Sequence, residues 1–273
     1  CSDREIGSVS FSRRRRIPPL ILQACRLLGS AALLYAAGGN GLHNPFVLDD
    51  KTKVLGNTDI RSWRNLPGAL IYRYADSARR INRNDPSRPL TSLSFTLNYC
   101  LFGPASWHFR LVNLAAHLAC AWSVRALLCT LLARPERPKR TEWVGLPDLT
   151  AVFFLTSPLA VGTASYVYAR SEVASALMMT RALDCHIRTR QGHGDMWVQV
   201  AGWYACALGF KQTALSLPFL AVFCDVWLGW GGPKGACLGR WRTYVSMLVI
   251  SWAFMWARYY WLGGIGDLEA EAG

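Results

Sequence analysis

The chain has few charged residues and lacks the short motifs of several large enzyme classes. Charged side chains make up 17% of its 273 residues, against about 25% in a typical soluble domain. It has no Walker loop, no GxGxxG motif after a strand and no GxSxG motif, which argues against P-loop, dinucleotide-binding and α/β-hydrolase chemistry. The nine cysteines are scattered and include no CxxC pair, so neither a disulfide framework nor a zinc site is indicated.

Apolar and basic residues are plentiful instead. Hydrophobic residues make up 52% of the chain and tryptophan occurs twelve times, a balance typical of membrane proteins. Thirty Lys and Arg against seventeen Asp and Glu give a net charge of +13. In a soluble protein this charge would indicate nucleic-acid binding, but in a membrane protein it marks cytoplasmic loops near anionic headgroups. We therefore predict membrane lipids, and no nucleic acid, as a partner.

Apolar segments separated by charged loops predict an all-α, polytopic membrane protein with a long first outer loop. We expect a basic cytoplasmic N-terminus at residues 1–16, a transmembrane domain at 17–262 and a tail at 263–273 without a repeat region. The arginines at 13–16 precede an apolar run without a clear cleavage site, so we expect an uncleaved signal anchor. Allowing about 20 residues per span, the predicted helices are 17–37, 109–132, 149–167, 173–183, 197–210, 213–228 and 244–262.

The first outer loop is expected to cover residues 38–108. Most of it is too polar to span, but leucines recur every three or four residues from Leu90 to Leu101. That spacing places them on one helical face and predicts a helix at 90–101 that lies at the membrane interface. The positive-inside rule puts this loop outside, on the same side as Arg170 and Lys211.

Two adjacent carboxylates, Asp49 and Asp50, follow the first predicted span. A carboxylate at this place can act as a general base on an incoming hydroxyl, or it can bind a divalent metal. An Asp in a turn or at a helix N-cap is the ordinary alternative. The pair by itself does not choose among these three roles.

Several charged residues are expected on the same outer side as the carboxylates. Arg88 can pair with a lipid phosphate or snorkel to the interface. Arg170, Glu172 and Lys211 lie between apolar segments, where charges serve either a functional site or anchoring at the interface. His108 and His117 are too far apart in sequence for a zinc pair, so no metal site is predicted from histidine.

Five segments that contain these residues share their motifs with one family. They are FVLDD at 46–50, SRPLTSLSFTLNY at 87–99, WHFRLVNLAAH at 107–117, ARSE at 169–172 and FKQTAL with a following Pro and Asp at 210–225. Together they resemble the transmembrane and tetratricopeptide-repeat-containing protein O-mannosyltransferases, over about residues 17–230. The motif at 87–99 and its order after the Asp pair are the most specific parts.

The resemblance implies a GT-C-type glycosyltransferase that moves mannose from a polyprenyl phosphate donor, dolichyl phosphate mannose, to Ser/Thr hydroxyls of secretory proteins with inversion. It implies the endoplasmic reticulum membrane with the Asp49 loop in the lumen; the plasma membrane is the alternative. No cofactor is implied beyond the donor, and a divalent metal is left open. The implied catalytic residues are Asp49 and Asp50, the implied phosphate-binding residues are Arg88, Arg170 and Lys211, and the implied supporting residues are Glu172 and His108.

The chain also departs from the family pattern. The family's His-Pro-x-His-Thr-Glu-Ala stretch reads SPLAVGT at 157–163, and its Lys-Glu pair is Lys211-Gln212. A catalytically inactive membrane scaffold or a polytopic transporter is therefore the alternative. A transporter would place polar groups within its spans, and Arg26 and Arg125 are the candidates for that role.

Overall fold

The computed structural model describes residues 19–67, 85, 87–133, 145–229 and 241–262. All regular elements within these ranges are helical, which confirms the all-α prediction. The predicted N-terminus (1–16) and tail (263–273) lie outside the described residues. The α-helices, numbered in chain order, are α1 (Pro19–Gly38), α2 (Pro89–Phe102), α3 (Ser106–Leu132), α4 (Leu146–Thr156), α5 (Pro158–Ser165), α6 (Arg170–Arg190), α7 (Trp197–Phe210), α8 (Leu217–Trp227) and α9 (Trp241–Leu262).

The predicted helix at 90–101 corresponds to α2. Pro89 occupies its first turn, where a missing N–H costs nothing, and Gly103 ends it with a φ of 80°. The Thr91 hydroxyl donates a hydrogen bond of 3.1 Å to the carbonyl of Phe210, which ties α2 to the end of α7. This contact places the start of α2 beside the segment that carries Lys211.

The segment between α1 and α2 is packed onto the helices as far as it is described. It forms a π-helical turn at Asp50–Leu55 and two 3₁₀ turns at Asp59–Arg61 and Trp63–Asn65. Burying one large apolar side chain contributes roughly 1.5–3 kcal/mol, and this segment contributes three buried ones. The cluster that holds it consists of Phe46, Val54, Ile60, Phe95, Phe109 and Val167.

The single helix predicted at 149–167 is wrong. The structure has two helices there, α4 and α5, bent by 52° at a break that precedes Pro158. A proline has no N–H to donate and its ring clashes with the preceding turn, so the helix cannot continue straight. The bend places α5 as one wall of the cleft described below.

The helix predicted at 173–183 is longer than expected, because α6 continues to Arg190. The charged residues in the second half of α6 are unfavourable in an apolar helix unless they are paired, and here they contact buried partners. His186 Nε2 lies 3.0 Å and Arg190 Nε 3.1 Å from Asp225 Oδ1 on α8. Asp184 accepts a hydrogen bond of 2.7 Å from Thr130 on α3. These polar contacts pin α6 to its neighbours at the end opposite Arg170.

Among the described helices, α3 alone is long and apolar enough to cross a bilayer, and α4 and α5 pass the same test when taken as one span. Helices α8 and α9 carry large apolar side chains on their outer faces, with Phe219 78% and Trp252 69% exposed. The multi-span, GT-C-like architecture stays a prediction.

The two arginines considered for a transporter share one carboxylate. Arg125 Nε lies 2.6 Å from Asp148 Oδ1, and Arg26 Nη2 lies 3.4 Å from Asp148 Oδ2. The two contacts join α3 and α1 to the first turn of α4. Both arginines therefore pair with one carboxylate, whose contacts join three helices.

Candidate functional site

The two predicted carboxylates follow a tight turn and differ in their exposure to solvent. Leu48 has a φ of +46°, a left-handed backbone conformation that residues other than glycine rarely adopt. Asp50 N donates to the carbonyl of Val47 at 2.9 Å and closes the turn. Asp49 is left exposed, whereas Asp50 is fully buried. Backbone strain of this kind is found at functional sites when the surroundings hold it in place.

Asp50 is a structural anchor in this arrangement. Its Oδ1 accepts a hydrogen bond of 2.8 Å from the backbone N–H of Tyr168, which joins the first loop to the α5–α6 connection. Burial raises the pKa of the Asp50 carboxyl above its ordinary value, although backbone hydrogen bonds and the nearby Arg110 cation oppose the rise. Asp50 does not line the cleft, so the geometry leaves Asp49 as the carboxylate that can meet a substrate.

Arg110 on α3 holds the chain on the other side of the turn. Its guanidinium donates to the carbonyls of Leu42 at 3.2 Å and Pro45 at 2.8 Å, and also to that of Asn44. Its Nε donates to Ser165 at the end of α5, at 3.0 Å. One buried side chain therefore fixes the segment that leads into Asp49 against α5.

Arg170 was predicted to bind the donor phosphate, but it is 2% exposed and does not line the cleft. Its Nε donates to Asn113 Oδ1 and its Nη2 to Asn98 Oδ1, both at 2.7 Å, and further bonds reach two backbone carbonyls. The guanidinium also lies 4.6 Å from the ring centroid of Phe95. These contacts join α6 to α2 and α3, so the geometry gives Arg170 a structural role.

A cleft of about 910 Å³ opens where these segments meet. The exposed Asp49 lies on its edge, and the Tyr166 hydroxyl donates to Asp49 Oδ2 at 3.1 Å. One Asp49 oxygen is thereby oriented by a neutral donor while the other remains available to a substrate. The lining residues are Asp49, Arg88, Pro158, Leu159, Gly162, Thr163, Tyr166, Tyr168, Ala169, Ser171, Glu172, Ala176 and Lys211.

The structure thus brings Asp49, Arg88, Glu172 and Lys211 together, as four of the predicted site residues. Arg88 lies 3.0 Å from Asp85 Oδ2 and precedes α2. Lys211 has an extended backbone between α7 and a 3₁₀ turn, and its ammonium pairs with Glu172 Oε1. The cleft therefore combines two carboxylates, Asp49 and Glu172, with two cations from segments next to different helices.

His108 lies apart from this group. It is half-buried at the start of α3, with its ring centroid 3.7 Å from that of Trp107 and 5.6 Å from that of Phe102. It does not line the cleft, so no direct supporting role follows from its position. In the described part of the chain, no three His, Cys, Asp or Glu side chains are grouped so that they could hold a metal ion. The divalent metal left open by the sequence remains an untested alternative.

A second cavity of about 430 Å³, the apolar groove, adjoins the cleft. Its walls come from α3, α4, α5 and α6 and are mainly apolar, with Phe153, Phe154 and Val173 among them. Its polar members are few and include His117, whose Nε2 lies 3.3 Å from the carbonyl of Leu155. The residues that line both cavities are Leu159, Thr163, Glu172 and Ala176.

Comparison with known proteins agrees with the family indicated by the motifs. The chain is 29% identical over 205 residues to protein O-mannosyl-transferase Tmtc1 of Drosophila melanogaster, across 73% of this chain and 22% of the fly protein. The chain is therefore similar to named protein O-mannosyl-transferases. It is also 26% identical over 192 residues to tmtc2 of Xenopus laevis and 25% identical over 215 residues to human TMTC2. These alignments cover 64% and 74% of this chain.

The resemblance to this O-mannosyltransferase family is therefore confirmed, at modest identity. The chain spans about a fifth to a quarter of the length of the curated relatives it matches, with 22% of the frog and 24% of the human protein covered. No family model and no solved structure matches the chain. The names of the relatives indicate a transferase that joins a sugar to a protein.

Sequence reasoning did not assign a role to Tyr166, Arg110 or Asn113. Arg110 and Asn113 lie in a segment that carries a family motif and Tyr166 lies close before another, but hydrogen bonds to residues distant in sequence leave no local pattern. One signal was present: Arg110, Asn113 and His117 recur at helical spacing within an apolar helix. Asn113 Nδ2 donates to the carbonyls of Tyr166 and Val167, both at 3.1 Å, so this polar face supports the α5–α6 connection.

Proposed function

We propose that the cleft transfers mannose from dolichyl phosphate mannose to Ser/Thr hydroxyls of proteins, with inversion at the anomeric carbon. The observation that carries the proposal is that Asp49, Arg88 and Lys211 face one cleft of about 910 Å³ in a chain similar to protein O-mannosyl-transferases. A cleft lined by a carboxylate and two cations suits a hydroxyl attack with a phosphate leaving group.

In the proposed reaction, Asp49 takes the proton from the acceptor hydroxyl as its oxygen attacks the anomeric carbon of the sugar. The new oxygen–carbon bond forms as the bond from that carbon to the phosphate oxygen breaks. The electron pair leaves with the phosphate, and Lys211 and Arg88 stabilise its growing negative charge. Tyr166 holds Asp49 in place through its hydrogen bond of 3.1 Å.

The apolar groove supports a lipid-linked donor over a soluble sugar nucleotide. It begins at the cleft and is walled mainly by apolar side chains, including the 75% exposed Phe153. An isoprenoid chain gains free energy by leaving water for such a surface. We place its first isoprene units along this groove, with the phosphate at Lys211.

The setting is proposed from the same resemblance. The chain is a multi-span protein of the endoplasmic reticulum membrane, with the Asp49 loop in the lumen, where secretory acceptors and the lipid-linked donor meet. The exposed apolar faces of α8 and α9 and the apolar helix α3 support a membrane location. The acceptor hydroxyl then approaches from the lumen, on the side of Asp49.

The test is mannose transfer from radiolabelled dolichyl phosphate mannose to a Ser/Thr-rich protein by the purified chain in lipid nanodiscs. We expect Asp49→Asn to reduce transfer by about a thousandfold, since it removes the base but keeps the shape. Asp59→Asn is the matched control, because Asp59 lies on the same loop outside the cleft. Equal loss in both variants, or full activity in Asp49→Asn, would refute the assignment.

A further inference from the structure

Glu172 and Lys211 form an ion pair at the junction between the cleft and the apolar groove. Both residues line the cleft, and Glu172 also lines the groove. The Lys211 side chain is 18% exposed and that of Glu172 is 42% exposed, so the pair lies at the boundary with solvent and not in the core. Of the four residues that line both cavities, Glu172 is the one with a charged side chain.

An ammonium group that contacts a carboxylate cannot give the same hydrogen bonds to a phosphate. The lysine ammonium is a compact charge with three donors, and each donor that is bonded to the carboxylate is withdrawn from a phosphate. Glu172 also adds a negative charge beside the place where an anionic group would bind, and like charges repel at this distance. The pair therefore opposes binding of any phosphate at Lys211.

We propose that Glu172 is an internal competitor for the lipid phosphate, pairing with Lys211 until a phosphate-linked lipid displaces it. This inference rests on the proposed function of the same cleft and adds a regulatory element to it. Glu172 is placed at the entrance to the groove, so its displacement and the entry of the isoprenoid chain occur at one point. The exposure of Glu172 leaves it room to turn toward solvent when it is displaced.

The same competition acts on the product. The donor is a phosphodiester with one negative charge, whereas the dolichyl phosphate left after transfer is a monoester that carries up to two near neutral pH. Two cations, Lys211 and Arg88, would hold this product more tightly than the donor. A carboxylate that recaptures Lys211 offsets that gain and speeds release of the spent lipid.

The experiment measures binding of citronellyl phosphate, a short water-soluble isoprenoid phosphate, to the purified chain by isothermal titration calorimetry. We expect Glu172→Gln to lower the Kd by about fivefold, because it keeps the shape and removes the competing charge. Lys211→Met should raise the Kd and abolish the effect of Glu172→Gln when the two are combined. Asp59→Asn, which removes one charge outside the cleft, should leave the Kd unchanged.

An unchanged or higher Kd for Glu172→Gln, with an unchanged thermal unfolding midpoint, would overturn the inference and show that Glu172 positions Lys211 for the phosphate. Mannose transfer by the unmodified chain, measured alongside, separates the two proposals. Transfer without tighter binding in the variant refutes the competitor alone. Tighter binding without transfer supports the competitor and refutes the transferase. Binding by none of the variants refutes the competitor, and the transfer assay then decides on the transferase by itself.

Discussion

The Tyr166 hydroxyl donates a hydrogen bond of 3.1 Å to Oδ2 of Asp49, from the far end of α5 to the loop after α1. The contact links the exposed carboxylate to the α5–α6 connection, whose backbone also forms hydrogen bonds with Asn113 and Asp50. A carboxylate in a loop needs such a partner to keep one orientation, because its own backbone is at the surface. Tyr166 is therefore a positioning residue for Asp49.

Tyr166→Phe should lower kcat for mannose transfer by about five- to twentyfold, because it removes the donor that orients Asp49 and keeps the ring. The KM for dolichyl phosphate mannose should stay within about twofold, since the phosphate lies at Lys211 and Arg88. Steady-state kinetics measure both parameters. Tyr35→Phe, at a 68% exposed position outside the cleft, is the control. A raised KM with unchanged kcat would place Tyr166 on the donor instead.

Arg170→Lys should destabilise the protein without a specific loss of donor binding. Lysine cannot reproduce the planar set of bonds to Asn113, Asn98 and two carbonyls, so we expect the free energy of unfolding to fall by roughly 2–4 kcal/mol. Thermal unfolding in detergent measures this change. Arg88→Lys, at the cleft, should instead raise the donor KM with little change in the midpoint. If instead Arg170→Lys raised the donor KM and Arg88→Lys lowered the unfolding midpoint, Arg170 would be the residue that binds the phosphate.

Stability should depend on pH through Asp50. Burial raises its pKa in the folded protein above the ordinary value of 3.8, so the folded state binds more protons than the unfolded state in the window above that value. Stability from this group is present at low pH and is lost as pH rises through the folded pKa. We expect the unfolding midpoint of the unmodified chain to fall relative to that of Asp50→Asn as the pH rises above 3.8 and through the raised pKa of Asp50. Parallel pH profiles would contradict this.

Leu48→Gly should be more stable than Leu48→Ala by about 1 kcal/mol, because glycine adopts the left-handed conformation at +46° without steric cost. Leu48 is 80% exposed, so neither change removes much packing. Chemical denaturation of the two variants gives the difference. Equal stability would mean that the turn relaxes when the leucine side chain is absent.

Substitution of Arg26 and Arg125 tests the transporter alternative, which would give these two arginines a functional role. Both pair with Asp148 at partly exposed positions, so Arg26→Ala and Arg125→Gln should each cost roughly 0.2–1 kcal/mol of stability. Mannose transfer should stay within about twofold of the unmodified chain. A folded variant that loses its activity would show that these charges serve a function beyond helix packing.

Much of the helical framework was predictable from the sequence because it follows local apolar periodicity. The helices at Pro19–Gly38, Pro89–Phe102, Trp197–Phe210 and Trp241–Leu262 were predicted to within a few residues, since each is a continuous apolar or amphipathic run. Where local and tertiary effects conflict, the prediction was less accurate. Pro158 broke one predicted helix, and buried partners for His186 and Arg190 extended another.

The sequence by itself determined the helical class, the resemblance to the O-mannosyltransferases and the set of charged residues from which a site could be built. Only the tertiary structure decided which of them face one cleft. It left Asp49 exposed and buried Asp50, whose carboxylate accepts a hydrogen bond from the backbone of Tyr168. It enclosed Arg170 among helices and joined Lys211 to Glu172. Such pairings depend on contacts between residues far apart in the chain, and no local spacing encodes them.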